Sequence, residues 1–315
     1  MQVPKPSQSL SRRAFLSTAA AAPALALPRP AGVIVDTHIH LFATDRKRFP
    51  YHPSGTYQPP AADLEDYKQF IARARIDHVI IVHPEPYQDD HSYLEHCFEN
   101  EPSEGYFKGT CLFDPIAPET PARMAELAKK WPGRIVAARY HAMNPPGEKP
   151  LESGPIKNRE LADPRVRAFW RAAGENGMAV QMHFLPHHAV KIRALARAFP
   201  EVNVILDHLA RAGQGTEQDY GEALRLGALP NVYMKFSGVR YSSKESFPYR
   251  DAMDTVKRAF DTFTPDRMIW GGLGHTMPEF ENAVSLFELM FRFASPGERA
   301  KIRGETAMKL FGFRG

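Results

Sequence analysis

The 315-residue sequence predicts a single α/β domain with the architecture of a (β/α)8 TIM barrel. Eight short apolar runs rich in valine and isoleucine, typical of strands buried on both faces, alternate with eight longer segments of helical pattern. About 250 residues is the usual size of such a barrel. A doubly wound open sheet is the alternative, but no glycine-rich phosphate loop follows the first strand.

The apolar runs give the predicted strands, and a helix is predicted to follow each one. The strands are 32–40, 78–83, 107–113, 134–141, 178–184, 202–208, 231–237 and 267–272. The helices are 61–75, 91–100, 120–131, 162–176, 187–199, 216–229, 248–262 and 279–294. Proline-rich segments at 41–60 and 142–160 follow the first and fourth strands. In a barrel both would cover the C-terminal face, where active sites lie.

Residues 1–30 are predicted to be a leader, so that the folded domain spans 31–315. Arg12 and Arg13 precede an apolar, alanine-rich run at 14–26, which resembles a twin-arginine export signal. The run is shorter than the roughly 20 apolar residues that a membrane anchor needs. We therefore expect export to the periplasm, with no membrane attachment once the signal is cleaved.

The charge balance argues against a nucleic-acid partner. The sequence has 40 Lys and Arg against 36 Asp and Glu, and three of these cations (Lys5, Arg12 and Arg13) lie in the first 26 residues, which contain no acid. A nucleic-acid-binding domain would carry its basic excess on the folded body. The composition, 43% hydrophobic and 24% charged, is that of a globular protein. We therefore expect a small-molecule substrate.

Histidines recur at the ends of the predicted strands. They are His38 and His40 on the first strand, His83 on the second, His141 on the fourth, His183 on the fifth and His208 on the sixth. For any one of them a hydrogen-bonded structural role is the expected one. Because the carboxyl ends of barrel strands share one face, so many together predict a site there.

The first strand carries two of these histidines on one side. His38 and His40 are two residues apart, so they project in the same direction, while Ile39 faces a helix. Two imidazoles directed into the barrel mouth suit a metal such as zinc, or an anionic substrate. Asp36 and Asp207 are expected to point outward, as supporting or helix-contact residues.

Two further strands add cationic candidates. Arg139 and His141 share a face, so both can point inward, although a buried structural ion pair is an equal alternative for Arg139. Lys235 could hold an anionic group or could simply extend toward solvent at its strand end. His83 could line the site or cap a loop.

These residues lie in motifs that resemble the amidohydrolase-related branch of the amidohydrolase superfamily. The motifs are "DTHIH", "QMHF", "LDHLAR", "VYMKFSG", "RMIWGG" and the closing "IRGETAMKLFGF", and the resemblance spans roughly 33–313. That branch includes pyrone-dicarboxylate and sugar lactonases and the aminocarboxymuconate semialdehyde decarboxylase group. The resemblance implies that His38 and His40 are the first-strand pair of ligands, that His183 is a ligand or an acid/base, and that His208 is the sixth-strand histidine.

The eighth strand departs from the family pattern. Relatives usually place there an aspartate that binds the metal and takes a proton from the attacking water, whereas Leu273 stands at that position in this sequence. His275 is the nearest titratable group, and we expect it to be the candidate replacement.

Three interpretations follow for the chemistry. In the first, His38, His40 and His183 hold one divalent ion, Zn²⁺ above all, and His208 or His275 is the base. In the second there is no metal, and a cationic mouth that includes Arg139, His141 and Lys235 binds a carboxylated substrate and stabilises an oxyanion. In the third, the barrel binds a small ligand and turns over nothing.

The activity that the resemblance implies is hydrolysis of a small carboxylated lactone or related cyclic ester. The alternative reaction is non-oxidative decarboxylation of a small aromatic or muconate-type acid. The two reactions differ in their products, because ring opening releases no gas and decarboxylation releases CO₂.

Replacing both leader arginines by lysine (Arg12→Lys with Arg13→Lys) should leave the precursor in the cytoplasm, because the paired arginines are the feature that the export route recognises. Cell fractionation followed by immunoblotting measures the distribution. Normal periplasmic accumulation of the double variant would contradict the assignment of a twin-arginine signal.

Overall fold

Eight parallel strands form one sheet in which each strand neighbours the next in the chain, from β1 to β8. The computed structural model describes residues 29–314. The strands are Val35–Ile39 (β1), His78–Val82 (β2), Phe107–Cys111 (β3), Ile135–Ala142 (β4), Ala179–Phe184 (β5), Val204–Leu206 (β6), Val232–Phe236 (β7) and Met268–Trp270 (β8). This sequential order confirms the predicted (β/α)8 barrel and rules out the doubly wound sheet.

A helix follows every strand, as predicted. The helices are Leu64–Ala74 (α1), Ser92–Glu99 (α2), Thr120–Lys130 (α3), Val166–Glu175 (α4), Ala189–Ala198 (α5), Glu217–Leu224 (α6), Met253–Phe263 (α7), Met277–Met290 (α8), Pro296–Ala300 (α9) and Thr306–Phe311 (α10). Helix α8 begins two residues earlier than expected, because the Thr276 side chain accepts a hydrogen bond from the backbone N–H of Glu279 and caps the helix.

The predicted leader falls almost entirely outside the described residues. The paired arginines and the apolar run lie in 1–28, which the structure does not describe. Arg29, the first described residue, donates a hydrogen bond to the Asp77 carboxylate at 2.6 Å and so joins the folded domain. Within 29–314 no helix combines the length and the apolar character needed to cross a bilayer.

The barrel interior is divided into an apolar end and a polar end. Its amino-terminal part is packed with small and branched side chains of the strands, which meet the closing segment of the chain: Val35, Ile80, Val136, Ala137, Ala179, Ile205, Ile269, Ala307, Phe311 and Phe313. Arg139, Gln181 and Asp207 each lie two residues beyond a member of this cluster and are buried. Since residues i and i+2 of a strand share a face, a polar layer is stacked directly on the apolar one.

Side chains of β1 join that strand to β8. The Thr37 hydroxyl donates to the Trp270 carbonyl at 2.7 Å. The Asp36 carboxylate accepts from the backbone N–H groups of Gly272 and Leu273 at 2.8 and 3.0 Å. A Cβ on Gly271 would lie 2.7 Å from the backbone nitrogen of His38, so the close approach of the two strands requires glycine there.

Replacing Asp36 by alanine should lower the free energy of unfolding by at least about 3 kcal/mol, because three backbone N–H groups, including that of His38, would lose a charged acceptor in a buried place. Urea unfolding measures the loss. The matched control is Asp254→Ala: the Asp254 side chain is 81% exposed and 3.9 Å from Arg258, so its loss should cost less than about 1 kcal/mol. Equal losses in the two variants would contradict this role for Asp36.

Candidate active site

A cavity of about 610 Å³ opens at the carboxyl ends of the strands. Five histidines line it, which we call the histidine arc: His38, His40, His141, His183 and His208. The two proline-rich loops also reach the cavity, the first through Thr56 and Tyr57 and the second through Met143 and Lys157. The expectation that both loops cover the C-terminal face is thereby met.

The histidine arc is continuous, because each ring lies next to another. The ring centroids of His38 lie 5.0 Å from His40 and 4.6 Å from His208. His183 lies 5.5 Å from His208 and 5.1 Å from His141. Five imidazoles from four different strand ends therefore meet on one wall.

Burial keeps the arc uncharged near neutral pH. It lowers the pKa of His40 and of His208 to about 3, and Arg139 adds to the effect on both. The pKa values of His38, His141 and His183 are also held well below the usual range, again chiefly by burial. The arc therefore presents neutral rings, each with one N–H donor and one acceptor nitrogen.

Hydrogen bonds assign the tautomers of two of these rings. His40 Nδ1 lies 2.7 Å from the Val82 carbonyl, which can only accept, so Nδ1 carries the proton. His183 Nε2 lies 2.9 Å from an Arg211 nitrogen, which can only donate. Nδ1 of His183 therefore carries the proton, and it is buried with no hydrogen-bond partner among residues 29–314.

Beneath the arc lies a buried carboxylate, Asp207, which is bound by two cations. Its oxygens lie 3.2 Å from Lys235 Nζ, 3.2 Å from an Arg139 nitrogen and 3.6 Å from His38 Nδ1, and Gln181 donates to it at 3.0 Å. Burial alone would raise the pKa of Asp207, but Lys235, His38 and Arg139 outweigh it and hold the pKa well below the usual range. Asp207 is therefore an ionised anchor of the polar layer.

This placement corrects the expectation that Asp207 points outward. Asp207 shares its strand face with Ile205, which lies in the apolar cluster inside the barrel. The predicted strand continued to His208, but β6 ends at Leu206. His208 reaches the interior because the backbone turns, and strand parity does not apply to it. Asp36, in contrast, serves the β1–β8 contact and not the cavity.

The turn after β6 is left-handed over four consecutive residues. The φ angles of His208, Leu209, Ala210 and Arg211 lie between 53° and 56°, a conformation that costs energy for residues with a side chain. The turn places His208 and Arg211 on the cavity wall together. Sequence reasoning missed Arg211, although it closes the quoted "LDHLAR" motif.

The rest of the wall is strongly cationic. Arg139, Lys157, Arg211 and Arg240 line the cavity, against the single carboxylate of Glu85. Arg211 lies 3.8 Å above the Tyr241 ring, and Arg240 donates to the Tyr241 hydroxyl at 2.6 Å. Burial raises the pKa of Tyr241, but the two guanidiniums lower it further, so the net shift is downward.

Two donors or acceptors on this wall lack partners. Arg139 is 3% exposed and its Nε has no hydrogen-bond partner in the described part of the chain. His141 is 6% exposed, and the same holds for its Nε2. Together with the Nδ1–H of His183, these atoms are buried polar groups without a partner in the described part of the chain, and they belong to residues that line the cavity.

Three sequence candidates lie elsewhere. His83 Nε2 bonds the Gln88 carbonyl at 2.9 Å, and its ring packs on His91 instead of lining the cavity. His275 Nε2 bonds the His40 carbonyl at 2.9 Å, and its ring meets Tyr67 edge-on, because the two glycines direct the chain toward α8. Lys235 lies below the arc, where its ammonium also donates to the Thr37 carbonyl at 3.0 Å.

Leu273 is fully buried in the core, so the end of β8 offers the cavity only its backbone at Gly272. Because Leu273 lies in the core and His275 is directed away, the eighth strand contributes no titratable side chain to the cavity wall. The carboxylate that lies closest to the histidines comes instead from Asp207.

A metal-binding arrangement is present in outline. His38, Asp207 and His208 each offer a ligand atom within 4.8 Å of the others, and imidazole and carboxylate are donors that zinc accepts. The expected set of His38, His40 and His183 differs, because the acceptor nitrogen of His183 is taken by Arg211. Lys235 Nζ, 3.5 Å from His38 Nδ1, and Arg139 already pair with Asp207. Lys235 and Arg139 therefore already neutralise Asp207, which is the only anionic ligand in the set. As arranged, these residues do not fit a divalent cation.

Comparisons with known proteins agree with this architecture. The chain is 29% identical over 290 residues to the 4-sulfomuconolactone hydrolase of Hydrogenophaga intermedia, covering 88% of each protein. It is 24% identical to the L-fucono-1,5-lactonase of Burkholderia ambifaria, covering 88% of this chain and 94% of that protein. The crystal structure of a probable 2-pyrone-4,6-dicarboxylic acid hydrolase from Acinetobacter baumannii has the same fold: TM-score 0.70, 20% identity, and coverage of 89% of this chain and 99% of that one.

A family model described as amidohydrolase matches residues 35–313, from β1 to the end of the barrel. The match includes every strand and all of the histidine arc. This chain therefore belongs to the amidohydrolase family of enzymes.

Proposed function

We propose that the enzyme hydrolyses a small lactone or related cyclic ester that carries a carboxylate or another anionic group. The observation that carries this proposal is the charge of the cavity: four cationic side chains and one carboxylate surround neutral histidines. Such a wall attracts an anion and disfavours a cation. The activities of the two relatives named above, a lactone hydrolase and a lactonase, support a lactone as the reacting group.

His38 is the proposed general base. Its Nδ1 faces the Asp207 carboxylate at 3.6 Å, and its ring lines the cavity. Lys235 Nζ lies 3.5 Å from the same Nδ1 but has nearer acceptors in the Thr37 carbonyl, at 3.0 Å, and Asp207, at 3.2 Å. We therefore assign the Nδ1 proton to the side of Asp207. This tautomer leaves Nε2 free, and the carboxylate stabilises the imidazolium that forms. Water bound in the cavity would lose a proton to Nε2 of His38 as its oxygen attacks the lactone carbonyl.

The tetrahedral intermediate needs donors for its oxyanion. The unpartnered Nε–H of Arg139 and Nδ1–H of His183 are buried donors on the same wall. When the ring C–O bond breaks, the His38 imidazolium returns its proton to the leaving ring oxygen. The product is a hydroxy acid, which releases one proton to solution on ionising.

Because the residues do not fit a divalent cation, no step of this mechanism uses one. The positive charge that a metal would supply to the oxyanion comes from Arg139, a permanent cation.

The proposal is tested with 4-sulfomuconolactone and 2-pyrone-4,6-dicarboxylate as anionic probes and δ-valerolactone as a neutral one. Titration at constant pH measures the acid released by ring opening. We expect kcat/KM to be about 100-fold higher for at least one anionic lactone than for the neutral one, because charge-assisted hydrogen bonds bind the anion. Release of CO₂ would instead support the decarboxylase alternative, and binding without turnover would support a ligand-binding barrel.

The variant His38→Asn should lower kcat by about 10²–10⁴-fold, the usual contribution of a general base. The matched control is His187→Asn, since His187 lies before α5 and outside the cavity lining. Comparable losses in both variants would remove His38 from the mechanism.

Treatment with EDTA or 1,10-phenanthroline should change kcat/KM by less than about twofold, because the positive charge at the oxyanion is supplied by side chains and not by a bound ion. Elemental analysis of the same samples reports their metal content. A loss of activity that added zinc restores would show that a metal is required.

A further inference from the structure

The two loops that cover the cavity are connected through two buried side chains, those of Gln88 and Glu85. The first mouth loop, residues 40–63, places Tyr57 at the cavity, and the second mouth loop, residues 143–165, places Lys157 there. Gln88 follows β2, lies outside both loops and is 2% exposed. It does not line the cavity, so any effect it has on the substrate acts through the residues that do.

The Gln88 amide is hydrogen-bonded both to the second mouth loop and to Glu85, which leads to the first. Its Oε1 accepts the backbone N–H of Ile156 at 2.7 Å, one residue before Lys157. Its Nε2 donates at 2.7 Å to both the carbonyl and the carboxylate of Glu85. These bonds use the acceptor and the donor of the amide in the only orientation that satisfies every partner.

Glu85 continues the connection to the first mouth loop. Its carboxylate accepts from the backbone N–H of Thr56 at 3.1 Å and from the Thr56 hydroxyl at 3.0 Å, one residue before Tyr57. The chain of hydrogen bonds therefore runs from the neighbour of Lys157 to the neighbour of Tyr57. It passes through a single amide and a single carboxylate.

The backbone at Gln88 is held in a conformation that favours glycine. Its φ is 51°, and two bonds fix it: the Gln88 N–H donates to the Glu85 carbonyl at 2.8 Å, and His83 Nε2 bonds the Gln88 carbonyl at 2.9 Å. Burial lowers the pKa of His83 to about 4, so its ring is neutral and donates through Nε2. A glycine would take this conformation without strain, but it would lack the amide.

The second mouth loop has an anchor of its own. Arg159 is fully buried and donates to both oxygens of Asp114 at 3.0 and 2.8 Å. This ion pair holds the loop to β3 and not to the first mouth loop. Losing the Gln88 amide would therefore uncouple the two loops without releasing the second one from the barrel.

We propose that Gln88 is a positioning residue that couples the two mouth loops, so that Tyr57 and Lys157 contact the anionic substrate as one unit. The inference deepens the proposed function, on which its kinetic test rests. The reacting groups His38, Arg139 and Asp207 stand on or next to strands and do not depend on this connection. Loss of the Gln88 amide should therefore weaken substrate binding and leave the rate of the chemical step nearly unchanged.

The test variant is Gln88→Gly, which accepts the backbone conformation and removes the side chain together with its amide. With the anionic lactone that the wild type hydrolyses best, KM should rise about tenfold while kcat changes less than about threefold. In a Lys157→Ala background the same substitution should raise KM less, because the coupled group is already gone. A fall in kcat at constant KM, or additive effects in the double variant, would overturn the proposal.

Hydrogen–deuterium exchange tests the coupling without any substrate. In Gln88→Gly, amide exchange should rise in both 52–57 and 154–158. The matched control, Thr56→Val, removes only the hydroxyl bond to Glu85 and should raise exchange in 52–57 alone. Unchanged exchange at 154–158 in Gln88→Gly would overturn the coupling even if the enzyme proves inactive on lactones, so the two proposals can fail separately.

Discussion

The ionised Asp207 carboxylate is the interaction on which the site depends. It takes a hydrogen bond or an ion pair from residues of four other strands, namely His38 on β1, Arg139 on β4, Gln181 on β5 and Lys235 on β7. Removing one partner from such a buried group leaves a charge uncompensated, which typically costs about 3–5 kcal/mol. The same contacts orient Arg139 and His38 toward the cavity, so the stability of the polar layer and its chemistry have one origin.

The fold could be predicted from the sequence because the strands are short Val- and Ile-rich runs between helical segments. Two members of the histidine arc followed from the same pattern, since His141 and His183 lie at even spacing from Ala137 and Ala179 of the interior cluster. On β1 the register shifts between Asp36 and Ile39, so His38 faces the cavity although it lies three residues beyond the interior Val35. The prediction for Asp207 was wrong because it assumed that the strand continued through His208. The left-handed turn that breaks the alternation has no sequence pattern among Leu209, Ala210 and Arg211 that favours positive φ.

The periodicity of the sequence could not predict which loop residues line the cavity. Lys157, Arg240 and Tyr241 come to the cavity through connections whose course depends on distant contacts, such as the Arg159–Asp114 ion pair. His83 and His275 are candidates that do not line the cavity. Each lies just beyond a strand, but its ring nitrogen is hydrogen-bonded to a backbone carbonyl. Position at a strand end therefore selects candidates but does not decide which of them face the cavity, since His40 also bonds a backbone carbonyl and yet lines it.

The cationic wall also bears on how fast a substrate arrives. An excess of positive charge in a concave site concentrates anions near the mouth and raises their association rate constant, an effect that dissolved salt weakens over a screening length of about 8 Å at physiological ionic strength. Arg240 and Lys157 stand on the outer loops, whereas Arg139 lies deep in the barrel. The outer pair can therefore govern capture from dilute solution, while the buried guanidinium, shielded from ions, acts on the molecule once it is bound.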